Sequence, residues 1–310
     1  MGKKTAAQKA QNKFEQKVEK AKVQVATLEV AQKLYDKATK LVEQKHRTFT
    51  EQLKKSKDGE FHFTLLSKGT ATDKISALAM MVQKDPISAH PFLVQLLGLT
   101  KKHNKKQAEQ ALTAFKDLFV QGYLFKLQQK LTVFQRNPVI QAKQDKCSDE
   151  EIIQAYHEHC VRELLREFCQ STLLQLSHGE LDFQKTTALD IAAEILPYAK
   201  QVEMKDQMIN LIVNKFGDAS KKIQCHAINT MVRVLTRFHG ESKEEVQGTI
   251  LREVSAFLVR QGTKPSHRIY ALGFLNKAAG ILIGTGSIDM RHTILSIYFN
   301  LFNQLLHQQP

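Results

Sequence analysis

The chain has 310 residues, 42% of them hydrophobic, with 17 Phe, 14 Gly, 6 Pro and 4 Cys, and its 45 Lys+Arg against 31 Asp+Glu leave a formal net charge of +14. That length supports one to three domains with full cores and needs no metal or disulfide staple; so few Gly and Pro argue against a sandwich, barrel or collagen-like fold and for long helices. The basic excess favours polyanionic partners. Four cysteines without a C-x-x-C pair or a preceding signal peptide (Cys147, Cys160, Cys169, Cys225) are expected to be reduced thiols.

Residues 1–60 hold 15 Lys/Arg against 8 Asp/Glu and residues 61–310 hold 30 against 23. Each share is +7, so the first fifth of the chain carries half the excess. Nearly all of it is lysine, which suits sequence-blind attraction to phosphate. Ala21, Leu28, Tyr35, Val42 and Phe49 recur every seventh residue, flanked by Val18, Val25 and Leu53, while Gln32, Thr39 and His46 spoil a second seam. This pattern predicts one long basic amphipathic helix that docks on a partner or on the body of the protein, with a flexible end over residues 1–12. Lys54-Lys55-Ser56-Lys57-Asp58-Gly59 is expected to end it, the lysines matching the carbonyl end of the dipole and Asp-Gly supplying a turn.

From residue 70 onward the apolar period is that of a helix. Thr72 precedes Ile75, Leu78, Ala79 and Val82, and Asp85-Pro86 closes the segment. Further helices are expected at about 88–102 and 105–121, the second stopped by Gly122. The pattern weakens through Phe134 and Asn137-Pro138 to the polar stretch Gln141–Lys146, the best internal boundary. Ser148-Asp149-Glu150-Glu151 forms a capping box that opens a helix running to about Ser177. Helices at about 182–196, 203–216, 218–238, 242–260 (with a capping box from Ser242 and Glu245), 266–283 and 288–307 follow, with breaks at Gly217-Asp218, Gly240 and Gly262. Successive pairs start about 40–46 residues apart, the spacing of HEAT-type hairpins. The expected fold is all-α: a HEAT/armadillo-like helical-repeat solenoid preceded by the long basic amphipathic helix. Its segments are an arm over 1–60, a first repeat segment with linker over 61–147 and a second over 148–310.

The chain carries few chemical motifs. Gly2-Lys3-Lys4-Thr5 lacks the first glycine of a P-loop, and Gly284-Thr285-Gly286 follows no strand. His157, His159, Cys160 and Cys169 resemble metal ligands by residue type, but His157 and Cys160 share a helix face that His159 does not, so no tetrahedral set forms and no metal or cofactor is expected. No Ser/His/Asp order, H-E-x-x-H or G-x-S-x-G occurs, so a non-enzymatic role without a small-molecule substrate is expected. No apolar run approaches the roughly 20 residues of a membrane span, and the longest, Ala278–Ile283, is broken by Gly280 and followed by Gly284. A soluble protein with no membrane partner is therefore expected.

What stands out is basic. Lys101-Lys102-His103-Asn104-Lys105-Lys106 fills a corner between two helices, where the positive end of the next helix dipole adds to four ammonium groups. The candidate nucleic-acid-binding residues are Lys54, Lys55, Lys57, Lys101, Lys102, Lys105 and Lys106. Lys221-Lys222 and Arg233/Arg237 are weaker versions, read as solvated helix faces.

The string Gly69-Thr70-Ala71-Thr72-Asp73-Lys74-Ile75-Ser76-Ala77 resembles the opening of the conserved region in the CCAAT-binding-factor (Mak-Noc) family of nucleolar complex proteins. Similar strings follow in order: Leu97-Gly98-Leu99, Ala111 to Phe119, Phe134-Gln135-Arg136-Asn137-Pro138, Val213-Asn214-Lys215-Phe216-Gly217-Asp218, Glu253-Val254 with Phe257-Leu258, Tyr270-Ala271 with Phe274-Leu275-Asn276, and Ile297 to Phe302. The likeness covers about residues 60–306, the N-terminal and middle region without the family's usual C-terminal domain, and Val202–Asp206 departs from its Pro-Glu-x-Glu. The resemblance implies a nuclear and nucleolar scaffold, without a catalytic site, in large ribosomal subunit biogenesis. Such a scaffold would bind the pre-ribosomal large-subunit particle and its rRNA together with a second nucleolar complex protein. The family's older name implies the alternative, a regulator of transcription that binds CCAAT-box DNA. A generic protein-adaptor repeat fits the expected fold as well.

Overall fold

The computed structural model describes the backbone of residues 6–101, 105–124, 131–179, 181–198, 204–237, 243–285 and 288–307, and within these the side chains from residue 28 onward except 175–176, 283–285 and 304–307. Among the described residues all regular structure is helical. The chain runs α1 (Ala6–Lys55), α2 (Lys57–Lys68), α3 (Ala71–Lys84), α4 (His90–Leu99), α5 (Lys105–Val120), α6 (Pro138–Lys143), α7 (Asp149–Glu167), α8 (Leu174–Ser177), α9 (Asp182–Ile195), α10 (Lys205–Asn214), α11 (Lys221–Arg237), α12 (Lys243–Val259), α13 (Pro265–Thr285) and α14 (Ile288–His307). Two compact units divide it: Met1–Gln95 with Leu131–Glu163, and Leu96–Lys130 with Leu164–Pro310. Neither is one continuous stretch of chain.

In the first unit α1 packs against the other elements of that unit. Among its described side chains the buried ones are Ala31, Leu34, Ala38, Val42 and Leu53, a period near 3.6 that keeps Val42 and Leu53 of the expected stripe. Leu28, assigned to the seam, is 51% exposed. Ala31, Leu34 and Ala38 cluster with Phe134, Ile140, Cys147, Ile152 and Ala155. The two alanines are small, and a pattern read from large apolar residues passes over them. Tyr35 packs edge-on against Phe134 with centroids 5.3 Å apart. His46 is a tie rather than a spoiled seam position: its Nδ1 lies 2.7 Å from the Ser88 carbonyl oxygen.

The expected turn at Asp58-Gly59 does not form. The chain breaks two residues earlier at Ser56, whose hydroxyl accepts from Gly59 N–H at 3.1 Å and caps α2. Asp58 and Glu60 then occupy the first turn of α2, while Lys54 and Lys55 occupy the last turn of α1, each sign at its favourable dipole end. Gly59 is required by proximity, because a Cβ there would lie 1.9 Å from the Leu53 carbonyl oxygen. In α3 the cap is Thr70, not Thr72, and it forms a reciprocal capping box with Asp73. The Ser148–Glu151 box is present, with N–H to side-chain distances of 3.1 and 3.3 Å. The Ser242–Glu245 box, Gly240 and Gly286 lie outside the described residues, at least in part.

The second unit contains stacked helices in two rows. In one, α9 packs on α5 and α11, and α11 on α13; in the other, α10 packs on α12 and α12 on α14. Side-chain ties cross between neighbours of the same row. Lys116 Nζ meets Glu194 at 2.7 Å, Arg233 pairs with Asp190, Asn210 Nδ2 donates to Glu253 at 2.6 Å and Lys277 Nζ donates to Asn229 at 3.2 Å. Within the stack, from α9 onward, these ties span 43–48 residues of sequence, close to the spacing between helix pairs read from the sequence. Phe216 lies between Phe257 and Phe274, with centroids 6.2 and 5.6 Å away. The single helix expected from 149 to about 177 is interrupted by a π-helical turn over Phe168–Leu173, which buries Phe168, Cys169, Thr172 and Leu173. Gly122 and Gly262, with φ of 76° and 81°, follow α5 and α12 in the left-handed conformation. No helix among the described residues is long and apolar enough to cross a membrane.

Candidate nucleic-acid interface

The seven candidate lysines divide between the two units. Lys54, Lys55 and Lys57 belong to the first, at the α1–α2 break, and all three are exposed. Lys54 holds its ammonium 5.7 Å from the centroid of the Phe63 ring, a cation–π contact that fixes the direction of a mobile side chain. Lys57 is one helical turn from Phe61, which is 61% exposed. Exposed Thr64 and Lys68 continue the same stripe of α2.

Basic side chains beside a free aromatic face suit a single-stranded polynucleotide, whose phosphates pair with ammonium groups while a base stacks on the ring. Phe61 was absent from the residues selected by sequence. In sequence Phe61 follows Lys57 by four residues, a spacing that sets the two one helical turn apart. His62, between the two rings, is buried with its Nε2 3.2 Å from Met80 Sδ, and burial lowers its pKa.

The remaining candidates lie in the second unit. Lys101 is exposed but pairs with Glu167, so a phosphate would have to displace a carboxylate to reach it. Lys102 lies outside the described residues. Lys105 and Lys106 are exposed in the first turn of α5, which carries no acidic residue. Two ammonium groups there reinforce a positive helix end that nothing within its first turn neutralises. Of the weaker basic positions, Lys221 and Lys222 are exposed at the start of α11, and Arg233 is engaged with Asp190.

The cysteines and histidines are packed apart. His157 is buried, and His159 lies edge-on to Tyr35 with centroids 5.8 Å apart. Burial pushes the Cys160 thiol up to about 11 and Cys169 to about 12, which keeps both protonated and unreactive. All four cysteines are free. Among the described residues no group of three or more His, Cys, Asp or Glu side chains is arranged to hold a metal ion.

The Val213–Asp218 string builds a joint. The Asp218 carboxylate receives Lys185 at 3.0 and 3.1 Å, Lys215 at 3.3 Å and the Ser220 N–H at 3.1 Å, while Gln224 donates to the Asp218 carbonyl at 2.7 Å. Burial pushes the pKa of this group up, and the four donor contacts outweigh that and hold it below the usual carboxylate range.

No family model matches the chain. The chain is distantly similar to CCAAT/enhancer-binding protein zeta, at 28% identity over 286 residues of the Mus musculus protein and 29% over 279 residues of the Homo sapiens protein, covering 90% and 88% of the chain. It is 26% identical over 262 residues, 80% of the chain, to the ribosome biogenesis protein NOC1 of Chaetomium thermophilum. The chain spans about a quarter of the length of these curated relatives, which cover 26%, 25% and 24% of their own sequences in the matches.

Proposed function

We propose that the chain is a non-enzymatic, HEAT/armadillo-like scaffold of large ribosomal subunit biogenesis in the nucleus and nucleolus. In this reading it holds pre-rRNA of the large-subunit particle and a second nucleolar complex protein. Support comes from the similarity to NOC1 of Chaetomium thermophilum, whose name records ribosome biogenesis. The carrying observation is the pairing of stacked helices with exposed lysines, Lys54, Lys55 and Lys57 at the α1–α2 break with Phe61 one turn from Lys57, and Lys105 and Lys106 at the start of α5. Stacked pairs bury their stripes against neighbours and leave an extended surface for macromolecules. Lysine contacts to phosphate set affinity and position rather than sequence choice, which suits a scaffold.

The name CCAAT/enhancer-binding protein zeta favours a second reading, a DNA-binding transcriptional regulator. Competition separates the two: binding to a labelled structured rRNA fragment is challenged with unlabelled rRNA and with CCAAT-box duplex. Preferential displacement by rRNA is expected. Equal or better displacement by the duplex would favour the regulator, and no retention of either at physiological salt would leave a protein adaptor.

A further inference from the structure

The groove between α13 and α14 carries an inference independent of nucleic-acid binding. It has a volume of about 800 Å³ and is lined by Leu258, Ile269, Leu272, Leu295, Phe299 and Phe302, with Arg268 and Tyr298 as its polar members. α14 has two apolar stripes. Ile294 and Ile297 are buried in the unit, whereas Leu295, Phe299 and Phe302, at i, i+4 and i+7, are 53%, 65% and 59% exposed. Across the groove Ile269 is 68% exposed. A helix apolar on two faces is built to be covered on both, and adjacent exposed side chains of this size mark an interaction surface rather than scattered surface residues.

Charge selects the occupant. Residues 254–310 contain Arg260, Lys264, Arg268, Lys277 and Arg291 against Asp289 as the sole acid. Arg268 lines the groove, and its buried Nε has no hydrogen-bond partner; a carboxylate entering the groove would pair with the guanidinium. A second copy would bring the same cations to the same place on a chain already at +14. RNA would bring phosphates to an apolar wall. We propose that the α13–α14 groove docks an amphipathic helix of an acidic partner protein, whose apolar stripe fills the space among Ile269, Phe299 and Phe302 and whose carboxylate pairs with Arg268. This is helix-in-groove recognition with anchors spaced by one turn.

The test uses the full chain against a displayed library of helices about 16 residues long, with apolar residues fixed at i, i+4 and i+7 and Glu or Lys randomised beside them. Enrichment of Glu-bearing helices is expected. Their affinity should fall about tenfold or more on Phe299→Ser with Phe302→Ser. Both positions are exposed, and an unchanged thermal melt would confirm that the variant folds. Arg268→Glu should switch the selection to Lys-bearing helices. Charge-blind enrichment, binding indifferent to the Phe pair, or a concentration-dependent dimer that the Phe pair abolishes would each overturn the proposal.

Discussion

Asp218 illustrates how much one side chain can organise. Its carboxylate joins Lys185 from α9, Lys215 after α10 and the Ser220 N–H before α11. Asp218→Asn removes the charge and leaves two partly buried ammonium groups short of a partner, so a loss of about 3 kcal/mol in urea unfolding at neutral pH is expected. The depressed pKa makes this contribution full above the ordinary carboxylate value and lost as pH falls through the folded value. His90 acts in the opposite range. Burial, then the neighbouring His157 and His46, lowers its pKa to about 4. The unfolded chain therefore takes the proton first, and stability should fall by about 2 kcal/mol between neutral pH and pH 5, levelling out below about 4. Urea midpoints across pH for the wild type and His90→Gln should differ in this slope; parallel curves would assign the dependence elsewhere. Gly59→Ala would drive a Cβ into the Leu53 backbone, where no side-chain rotation relieves it, at an expected cost of about 1–3 kcal/mol.

At the scale of elements, helix positions were legible because period and caps agree: Asp85-Pro86, Gly122, Ser148-Glu151 and Gly262 all lie within three residues of helix ends, as the sequence implies. Two features were not. The α1–α2 break depends on Ser56 satisfying Gly59 N–H, a geometric fact hidden beneath the stronger Asp-Gly signal. The π turn at Phe168–Leu173 leaves no mark in a periodic pattern. The buried face of α1 was legible at Tyr35, Val42 and Leu53 and missed at Ala31, Leu34 and Ala38, two of them alanines. The distinction is measurable. Ala38→Leu, at a position with no exposure, should cost about 1–3 kcal/mol through overpacking. Leu28→Ser, at a half-exposed position, should stay within about 0.5 kcal/mol. The reverse ranking would favour the seventh-residue stripe.

For the whole molecule, the +14 charge predicts salt-sensitive retention of polyanions. If the exposed lysines bind phosphate, log K should fall against log salt by about 0.7 per contact on single strands and about 0.9 on duplex. Neutralising Lys105 and Lys106 should therefore flatten the slope by about 1.4–1.8 units. Lys101→Gln should change it little because its ammonium already serves Glu167. Filter binding across a salt series reads both. The lysine corner was visible in sequence, but its unequal availability was not, since Glu167 lies 66 residues away. Phe61 escaped for a similar reason: exposure of an aromatic is a property of the folded surface.

The docking of α1 also sets a timetable for synthesis. Ala31, Leu34 and Ala38 leave the ribosome early, while their partners Phe134, Ile140, Cys147, Ile152 and Ala155 follow about a hundred residues later. At 5–20 residues per second, that face of the nascent helix stays uncovered for roughly 5–20 s. Throughout that interval the growing chain offers a basic, half-apolar helix to whatever surrounds the translating ribosome. A chaperone that shields it would be needed only until residue 155 emerges.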